Sequence, residues 1–372
     1  MDFCAGREAR MKKYAVVQRI DTRKYERVIA VSDLHGDYAG FDAMLSSVAF
    51  SKKDALVIVG DILEKGTEFL SLLRRITTLI ADGNVFMVLG NNDAILIDWI
   101  SNEISDTDML GYVLSREQST VKEMACELNM PYHTEDMLCR LKAQIQLRYA
   151  SEIAMLSSAP HILESDAATF VHAGITSEDI DKQEIDFCLA AKAFSQQGYR
   201  FDKPVIVGHW PASNYSKTVI DVNVHINQDA NIYSIDGGNS MKSWGQINVL
   251  TIEKHGKITC SAIERCPQIQ LLDDQHEQDS PVSLVFPNTK IEMMEDLGVQ
   301  KRCFVPYLGK EMLFDSDRIY SYKGDLYCSD FTTHQPAAAA GEIASYCKVY
   351  EDGILIKQNG IVGKYCGRYV YV

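Results

Sequence analysis

The sequence lacks several features that would assign it to common protein classes. It contains no apolar run as long as a transmembrane helix requires. Its N-terminus has no signal-peptide core, because Arg7, Arg10, Lys12 and Lys13 interrupt it, and residues 1–10 are expected to lie outside the fold. Its ten cysteines are scattered without a CxxC pair, which is not the pattern of a disulfide scaffold. We therefore expect reduced thiols, a cytoplasmic location and no membrane partner.

Positive charge is also scarce in this chain. Its 37 Lys and Arg residues stand against 51 Asp and Glu residues, which gives a formal net charge of −14. This balance argues against a nucleic acid or an anionic membrane surface as the partner. An acidic protein that handles phosphate needs local positive charge, and metal ions can supply it. With 372 residues, 46% of them hydrophobic, the chain can bury a sizeable core and form two domains.

Polar side chains follow three apolar, strand-like runs in the N-terminal part of the chain. The runs and the residues that follow them are 28–31 with Asp33 and His35, 55–60 with Asp61, and 85–90 with Asn91, Asn92 and Asp93. Helical spacing over 38–48 and 67–81 separates the runs, so the order is β-α-β-α-β, typical of a wound α/β sheet. Ligands bind at the carboxyl ends of strands in such sheets. The pattern therefore predicts a metal centre. Asp37 is interpreted as the N-cap of the first helix rather than as a ligand.

The middle of the chain changes from helical to strand-like character. Residues 94–160 are rich in Leu, Met, Ala, Glu and Lys, which predicts three or four helices, one of them over 134–157. They form either a helical insertion packed on the sheet or a cap over the metal site that selects the substrate. Strand-like runs then end at His172, His209 and Asp236. Because no long helices separate these runs, we expect a second sheet packed against the first.

The C-terminal part predicts a separate all-β domain. A polar linker over 273–279 precedes short alternating strands with Gly and Asp turns, which are typical of a small antiparallel barrel or sandwich. Within it, residues 353–368 resemble bacterial SH3-like repeats. We predict domains at 12–265 and 280–372, the second being a candidate site for a protein partner.

Six polar residues at the predicted strand ends suit one shared metal site. They are Asp33, His35, Asp61, Asn91, His172 and His209. Carboxylate, amide oxygen and imidazole donors suit Mn, Fe or Zn, and the absence of Cys argues against a soft thiolate site. Asp61, which lies between the two halves of the set, can bridge two ions about 3.5–4 Å apart. Two ions lower the pKa of a water, align it with phosphorus and offset phosphoryl charge, so no protein nucleophile is required.

These motifs resemble those of the calcineurin-like metallophosphoesterases, in the branch of the Ser/Thr protein phosphatases and bacterial bis(5'-nucleosyl)-tetraphosphatases. That branch has GDxHG, GDxxDRG, GNH(D/E), HxG and GH, which correspond here to 32–36, 60–66, 90–93, 172–174 and 208–209. The resemblance implies an α/β (α+β) fold, a β-sandwich flanked by helices. It implies one ion on Asp33, His35 and Asp61, and a second on Asp61, Asn91, His172 and His209. The expected ions are two divalent transition metals, Mn first, with Fe, Zn or Ni as alternatives. Residues 235–238 also resemble a segment of the bacterial members.

The implied activity is hydrolysis of phosphate monoesters or phosphoanhydrides by attack of a metal-bound hydroxide. The substrate class stays open between a nucleotide, a small ester and a phosphoprotein. The alternative is a metal-binding regulatory protein, in which the helical insertion and the C-terminal domain contact a partner and catalysis is weak.

Asn92 departs from the family pattern at a position that matters for catalysis. The family has a histidine there that, with the acidic residue at Asp93, helps to protonate the leaving group. General acid catalysis accelerates a reaction by about 10²–10⁴-fold, and an amide cannot act as a general acid. We therefore predict leaving groups that need little protonation, such as a nucleotide phosphate or a phenolate. His225 is an alternative source of the proton.

Two further departures concern the residues that contact phosphate. Glu64-Lys65 replaces the family's Asp-Arg, and Lys is a point charge where Arg binds phosphate bidentately. Leu89 stands where eukaryotic protein phosphatases have an Arg before GNH. Both changes argue against a dedicated phosphoprotein phosphatase. The predicted catalytic residues are Asp93, Asn92 and Lys65, of which Lys65 and Asn92 are also the predicted substrate contacts.

Overall fold

The structure is a computed structural model that describes residues 13–277, 280–350 and 353–372. The predicted extension at 1–10, the predicted domain start at residue 12 and the last two linker residues, 278 and 279, lie outside these ranges. Within them no two cysteines form a disulfide. None of the helices in these ranges has the length and apolar character that crossing a membrane requires.

Strands and α-helices of the described residues are numbered here in chain order. The strands are β1 (Val17–Ile20), β2 (Arg27–Val31), β3 (Asp54–Ile58), β4 (Val85–Met87), β5 (Ile162–Ser165), β6 (Thr169–Val171), β7 (Val205–Val207), β8 (Ile220–Asp221), β9 (His225–Asn227), β10 (Ile232–Ser234), β11 (Gln246–Glu253), β12 (Ile258–Glu264), β13 (Gln268–Leu271), β14 (Ser283–Leu284), β15 (Lys290–Asp296), β16 (Gln300–Val305), β17 (Lys310–Asp315), β18 (Ile319–Tyr322), β19 (Asp325–Cys328), β20 (Phe331–Thr332), β21 (Ile343–Tyr350), β22 (Gly353–Gln358), β23 (Ile361–Tyr365) and β24 (Tyr369–Tyr371). The helices are α1 (Tyr38–Ser47), α2 (Phe69–Ala81), α3 (Asn91–Ile100), α4 (Asp106–Leu114), α5 (Thr120–Glu127), α6 (Glu135–Arg148), α7 (Ala150–Ser158) and α8 (Ile185–Ala190).

The described chain divides into two compact units. The first consists of the residues up to Pro211 together with Asn223–Arg265, and the second of Ala212–Val222 together with the residues from Cys266 onward. This division differs from the predicted 12–265 and 280–372 in two segments. Residues 212–222 leave the predicted first domain because β8 pairs with β23. The predicted linker belongs to the second unit, where the Gln275 and Ala338 backbones hydrogen-bond each other.

The first unit is a β-sandwich of two sheets. One sheet has the strand order β12-β11-β2-β3-β4, with β2, β3 and β4 parallel. The other has the order β1-β5-β6-β7-β10-β9, with β6, β7 and β10 parallel. Val57 from the first sheet and Phe170 and Ile206 from the second belong to one buried core between them. The predicted sandwich is therefore confirmed.

Helices cover the outer faces of the sandwich. Phe41 of α1, Leu72 of α2 and Trp99 of α3 bury against the first sheet, and α8 packs on the second. The side chain of Asp37 caps α1 by accepting a hydrogen bond from the Gly40 N–H at 2.8 Å, as the sequence predicted.

The helical insertion has more and shorter helices than predicted. Its described residues form α3 to α7, five helices instead of three or four. The single helix predicted over 134–157 is two, because the chain leaves helical conformation at Tyr149, with φ −114° and ψ 33°. The fully buried Tyr149 ring lies in the core at this break, so side-chain burial overrides the continuous helical pattern.

The sheets of the second unit are all antiparallel, as predicted. Its sheets have the strand orders β24-β13-β21-β22-β23-β8, β14-β20 and β17-β16-β15-β19-β18. Separate apolar clusters form around Ile269 and Ile356 and around Leu284 and Phe314. The predicted SH3-like segment forms β22 and β23, a hairpin inside the six-stranded sheet.

Candidate metal centre

The candidate donors follow strands that are neighbours in the two sheets. In the first sheet, Asp33, Asp61 and Asn91 come after the parallel strands β2, β3 and β4. In the second, His172 and His209 come after the parallel strands β6 and β7. Parallel register brings the ends of neighbouring strands to one sheet edge, so the sandwich assembles residues that are far apart in the chain.

Asp33, His35 and Asp61 form the first group of donors. Their ligand atoms all lie within 4.8 Å of one another, and each residue is at most 2% exposed. His35 Nδ1 lies 3.1 Å from the Leu63 carbonyl, and because a carbonyl only accepts, Nδ1 carries the proton. His35 Nε2 therefore presents its lone pair to the carboxylates, 3.8 Å from Asp33 Oδ1, and has no hydrogen-bond partner among the described residues. Metal-binding histidines are held in this way.

Asn91, His172 and His209 form the second group. The Asn91 amide oxygen lies 3.0 Å from His172 Nε2 and 2.9 Å from His209 Nδ1. The other nitrogen of His172, Nδ1, lies 2.9 Å from the Val59 carbonyl, which fixes the ring orientation. Asp61 joins the two groups, because its Oδ1 is 3.5 Å from His172 Nε2 and its Oδ2 is 3.9 Å from His35 Nε2. The structure thus brings all six predicted residues together.

Unusual backbone conformations position these donors. Four of the six have positive φ angles: Asp33 (52°), His35 (47°), Asp61 (56°) and His209 (65°). Such conformations cost roughly 1–3 kcal/mol each and persist only where the surroundings enforce them, often at functional sites. Glycine permits the close approach that this requires. A Cβ on Gly90 would lie 2.2 Å from Asp61 Oδ1, and one on Gly208 would lie 2.3 Å from Asp33 Oδ2.

The buried carboxylates and imidazoles perturb one another. Burial raises the pKa of Asp33 well above its usual range, and the charges of Asp236 and Asp61 add to this effect. Burial acts in the same direction on Asp61, but His172 outweighs it and holds the pKa of Asp61 low. Burial opposes the charged form of His172, yet Asp61 raises its pKa to about 10. Burial and the charge of His172 lower the pKa of His209 to about 3.

The donor set fits divalent metal ions. It offers carboxylate, amide and imidazole donors without a thiolate, which suits Mn, Fe, Zn and similar ions. It also contains the His35 Nε2 atom, which has no partner in the part of the chain that the structure describes, and several buried carboxylates. Buried charges are normally paired or coordinate metals.

A family model matches residues 26–218, just over half of the chain, and its description is calcineurin-like phosphoesterase. The chain belongs to this family. The predicted family is therefore confirmed, and calcineurin-like phosphoesterases are metal-dependent hydrolases. The matched range contains all six donors of the candidate metal centre.

Curated relatives of this phosphoesterase include two symmetrical bis(5'-nucleosyl)-tetraphosphatases. That of Nitrosospira multiformis is 38% identical over 90 residues, which is 23% of this chain and 32% of the relative. That of Chromohalobacter salexigens is 34% identical over 91 residues, 24% of this chain and 33% of the relative. The chain thus matches about a third of the length of these relatives.

Two solved structures are among those similar to the chain. A crystal structure provisionally named a diadenosine tetraphosphatase has a TM-score of 0.44 and 22% identity, covering 67% of this chain and 98% of that chain. A Ser/Thr protein phosphatase of Saccharomyces cerevisiae has a TM-score of 0.42 and 10% identity, covering 68% of this chain and 84% of that chain.

Asp93 of the phosphoesterase accepts four backbone hydrogen bonds. Its Oδ2 accepts from Asp61 N–H at 2.8 Å and Gly90 N–H at 3.0 Å, and its Oδ1 accepts from Ile62 and Leu63 N–H, both at 3.0 Å. Burial, with the charge of Asp61, raises the pKa of Asp93 to about 7. These contacts give Asp93 a positioning role for the loop that carries Asp61. Its predicted part in proton transfer stays a prediction.

The other residues predicted to act on substrate lie in different surroundings. Asn92 is buried and donates two hydrogen bonds to Asp61, from its backbone N–H at 2.9 Å and from its amide at 2.5 Å. Lys65 is exposed, and its charge adds to the effect of burial in lowering the pKa of His35, so its ammonium acts on the site. His225 is half-buried on β9, with Nε2 3.1 Å from the Ser195 hydroxyl.

Two buried acids have surroundings that the sequence analysis missed. Glu64 is 3% exposed and accepts hydrogen bonds from the Tyr112 hydroxyl at 3.0 Å and the Thr120 N–H at 2.9 Å, which ties the Asp61 loop to the helical insertion. Asp236 is 1% exposed and one of its oxygens has no hydrogen-bond partner among the described residues. The sequence gives two signals for Asp236: its place after a strand-like run, which also selected the six donors, and the resemblance of residues 235–238 to a segment of the bacterial family members.

Proposed function

We propose that this phosphoesterase hydrolyses phosphate monoesters or phosphoanhydrides with two divalent transition-metal ions. The observation that supports this proposal is that six buried or half-buried donors from two sheets lie together, with Asp61 close to both groups. The residues that would hold one ion are Asp33, His35 and Asp61, and those for the other are Asp61, Asn91, His172 and His209. When bound, such ions lower the pKa of a water and stabilise charge on phosphoryl oxygens. Mn is the first choice, with Fe, Zn and Ni as alternatives.

The surrounding residues would orient the substrate and the donors. Asp93 holds the backbone of the Asp61 loop, and the Asn92 amide fixes one Asp61 oxygen. Lys65, exposed beside the site, supplies a positive charge for a substrate phosphate. Because Asn92 cannot donate a proton to the leaving group as an acid, departure depends on the leaving group's own pKa.

This dependence favours substrates whose leaving group is a nucleotide phosphate or a phenolate. The curated relatives are named as dinucleoside tetraphosphatases, and a dinucleoside polyphosphate releases a nucleotide phosphate. We therefore propose a phosphoanhydride of this class ahead of a phosphoprotein. The cytoplasmic location and a protein partner for the C-terminal unit stay predictions.

The test is phosphate release by the purified full chain with added Mn²⁺. Diadenosine tetraphosphate (followed by nucleotide release), a phosphothreonine peptide and an aryl phosphate are compared at equal concentration. We expect the dinucleotide or the aryl ester to be hydrolysed fastest. Preference for the phosphothreonine peptide would mean that another residue protonates an alkoxide, and the interpretation of Asn92 would be wrong.

Replacement of the family histidine by Asn92 also favours one alternative, a metal-binding regulatory protein with weak catalysis. The same assay separates the two, because the regulatory protein would bind Mn²⁺ and yet turn over none of the three substrates above the rate of the Asp61→Asn variant.

A further inference from the structure

Asp236 lies at the sheet edge that carries the candidate metal centre. It follows β10, which runs parallel to β7 with Ser234 opposite Val207. The Ile235 N–H then donates to the Val207 carbonyl at 2.7 Å, so the pairing continues past the end of the strand. This register sets Asp236 at the level of His209. The second sheet thus ends in three polar residues on its parallel strands, as the first sheet does.

The surroundings of Asp236 leave half of its carboxylate unused. The side chain is 1% exposed, and Oδ1 accepts the Gly238 N–H at 2.7 Å. Oδ2 has no hydrogen-bond partner among the described residues, and the same is true of the buried His35 Nε2. An unsatisfied buried acceptor costs about 1–3 kcal/mol, and more when it is charged. An ion bound to Oδ2 would remove this cost.

Asp236 adds a third buried carboxylate to the strand ends of the sandwich. Like Asp33 and Asp61, it follows a strand that pairs with a parallel neighbour. Three carboxylates, each at most 2% exposed, therefore repel one another in this part of the site. A cation bound near Asp33 would offset this repulsion. The sequence analysis gave that ion only three ligands, Asp33, His35 and Asp61.

We infer that Asp236 is a further ligand, through Oδ2, of the ion that Asp33, His35 and Asp61 would hold. This inference rests on the proposed function, because it assigns a residue to the same metal centre. It raises the number of protein donors for that ion from three to four. It also gives the segment 236–238 a chemical role beyond its turn.

The competing explanation is that Asp236 only stabilises the turn through Oδ1. Asp236→Asn separates the two, because Asn keeps the acceptor for the Gly238 N–H and removes the negative charge. Asp229→Asn is a matched control, since Asp229 is exposed in the turn at the opposite end of β10. His35→Ala and His209→Ala serve as references for the loss of each ion.

The experiment measures Mn²⁺ binding to the full chain by calorimetric titration, with bound metal per chain determined by elemental analysis. For Asp236→Asn we expect one binding event to weaken by at least about 10-fold. It should be the event that His35→Ala weakens, whereas Asp229→Asn should bind as the parent chain does. The melting temperature without metal should not fall in Asp236→Asn, because the substitution removes carboxylate repulsion and keeps the turn.

Unchanged affinity and stoichiometry in Asp236→Asn would overturn the inference, and so would a loss that matches His209→Ala instead of His35→Ala. If the parent chain binds two ions and hydrolyses substrate while Asp236→Asn binds normally, only the inference fails. If the parent chain binds no Mn²⁺, the proposed function fails and takes the inference with it.

Discussion

At the residue scale, Asp61 connects the two halves of the candidate metal centre. Its Oδ1 accepts the Asn92 N–H and lies 3.5 Å from His172, and its Oδ2 accepts the Asn92 amide and lies 3.9 Å from His35. Its own N–H donates to Asp93. A single carboxylate therefore depends on both helix α3 and the loop after β3 for its position.

Replacing this carboxylate should abolish activity without unfolding the chain. Asp61→Asn keeps the size of the side chain but removes the charge that both donor groups share. We expect phosphate release to fall to background and Mn²⁺ affinity to fall by at least about 10-fold. The measurements are phosphate release and Mn²⁺ titration, with far-UV circular dichroism and Asp229→Asn as controls. Activity that survives Asp61→Asn is incompatible with the two-ion proposal.

Asn92 gives a second prediction at this scale. A histidine at this position would restore a group that can both hydrogen-bond Asp61 and protonate a leaving group. We expect Asn92→His to accelerate hydrolysis of alkyl phosphates by up to about 10²–10⁴-fold and aryl phosphates much less. The measurement is the slope of log rate against leaving-group pKa, which should be steep in the parent chain and flatter in the variant. A flat slope in the parent chain would contradict the lost-acid hypothesis.

At the element scale, the loop after β3 links the metal centre to the helical insertion. Glu64 is its anchor, because it is buried and accepts hydrogen bonds from Tyr112 at the end of α4 and from Thr120 at the start of α5. Lys65, the next residue, is exposed beside the site. The hydrogen bonds to Glu64 therefore connect the insertion to the loop that carries Asp61 and Lys65.

Removing one of these hydrogen bonds should destabilise the insertion. Tyr112→Phe takes one donor from Glu64, and the cost of a less satisfied buried carboxylate is about 1–3 kcal/mol in the free energy of unfolding. Urea denaturation measures this cost. Tyr132→Phe is the control, since Tyr132 is a half-buried tyrosine between α5 and α6, and we expect a near-parental midpoint. Equal midpoints for Tyr112→Phe and the parent chain would rule out the anchor.

The close packing at the ends of β7 and β2 gives a further prediction. Gly208→Ala places a Cβ 2.3 Å from Asp33 Oδ2 and 2.8 Å from the Ser32 side chain, so the ligand must move. We expect Mn²⁺ affinity and phosphate release to fall by at least about 10-fold. Gly111→Ala is the control, because Gly111 lies in α4 with open space around it, and alanine there should stabilise by about 0.5–1 kcal/mol. Full Mn²⁺ affinity in Gly208→Ala would refute this packing constraint.

At the scale of the whole molecule, the chain passes between the two units three times. Residues 212–222 follow the His209 motif directly and belong to the second unit, where Ile220 pairs with Val362. Ile220 and Val222 are fully buried there. The unit that contains the family motifs therefore cannot be separated from the second unit by a single cut in the chain.

A chain cut at the predicted boundary of residue 265 should consequently be less soluble than the full chain. It keeps β8 but loses β23, which leaves Ile220 and Val222 without their buried surroundings. We expect aggregation on size-exclusion chromatography and partial recovery of a monomeric peak when both residues are changed to Ser. If the unaltered 13–265 chain elutes as a stable monomer, the pairing of β8 is not needed for solubility.

The sequence by itself determined the family, the sandwich and the six donors of the candidate centre. These follow from local patterns: apolar runs that form buried strands, polar residues after them, and the glycines next to His35 and Asp61. A strand end is recognisable from a few consecutive residues, and parallel neighbours bring such ends together in any wound sheet. Asp236 also follows a strand-like run, but its role could not be assigned from the sequence because the order of the strands in the sheet was not known.

Only the tertiary structure showed which residues, distant in the sequence, lie at the candidate metal centre and which segments belong to each unit. The register of β10 on β7 sets Asp236 level with His209, and hydrogen bonds from two helices fix Glu64. The pairing of β8 with β23 joins residues about 140 positions apart, and nothing local in either segment specifies the other. The physical reason is the same in each case. The free energy of burial and of strand pairing depends on neighbouring residues that are distant in the sequence and come together only in the folded chain.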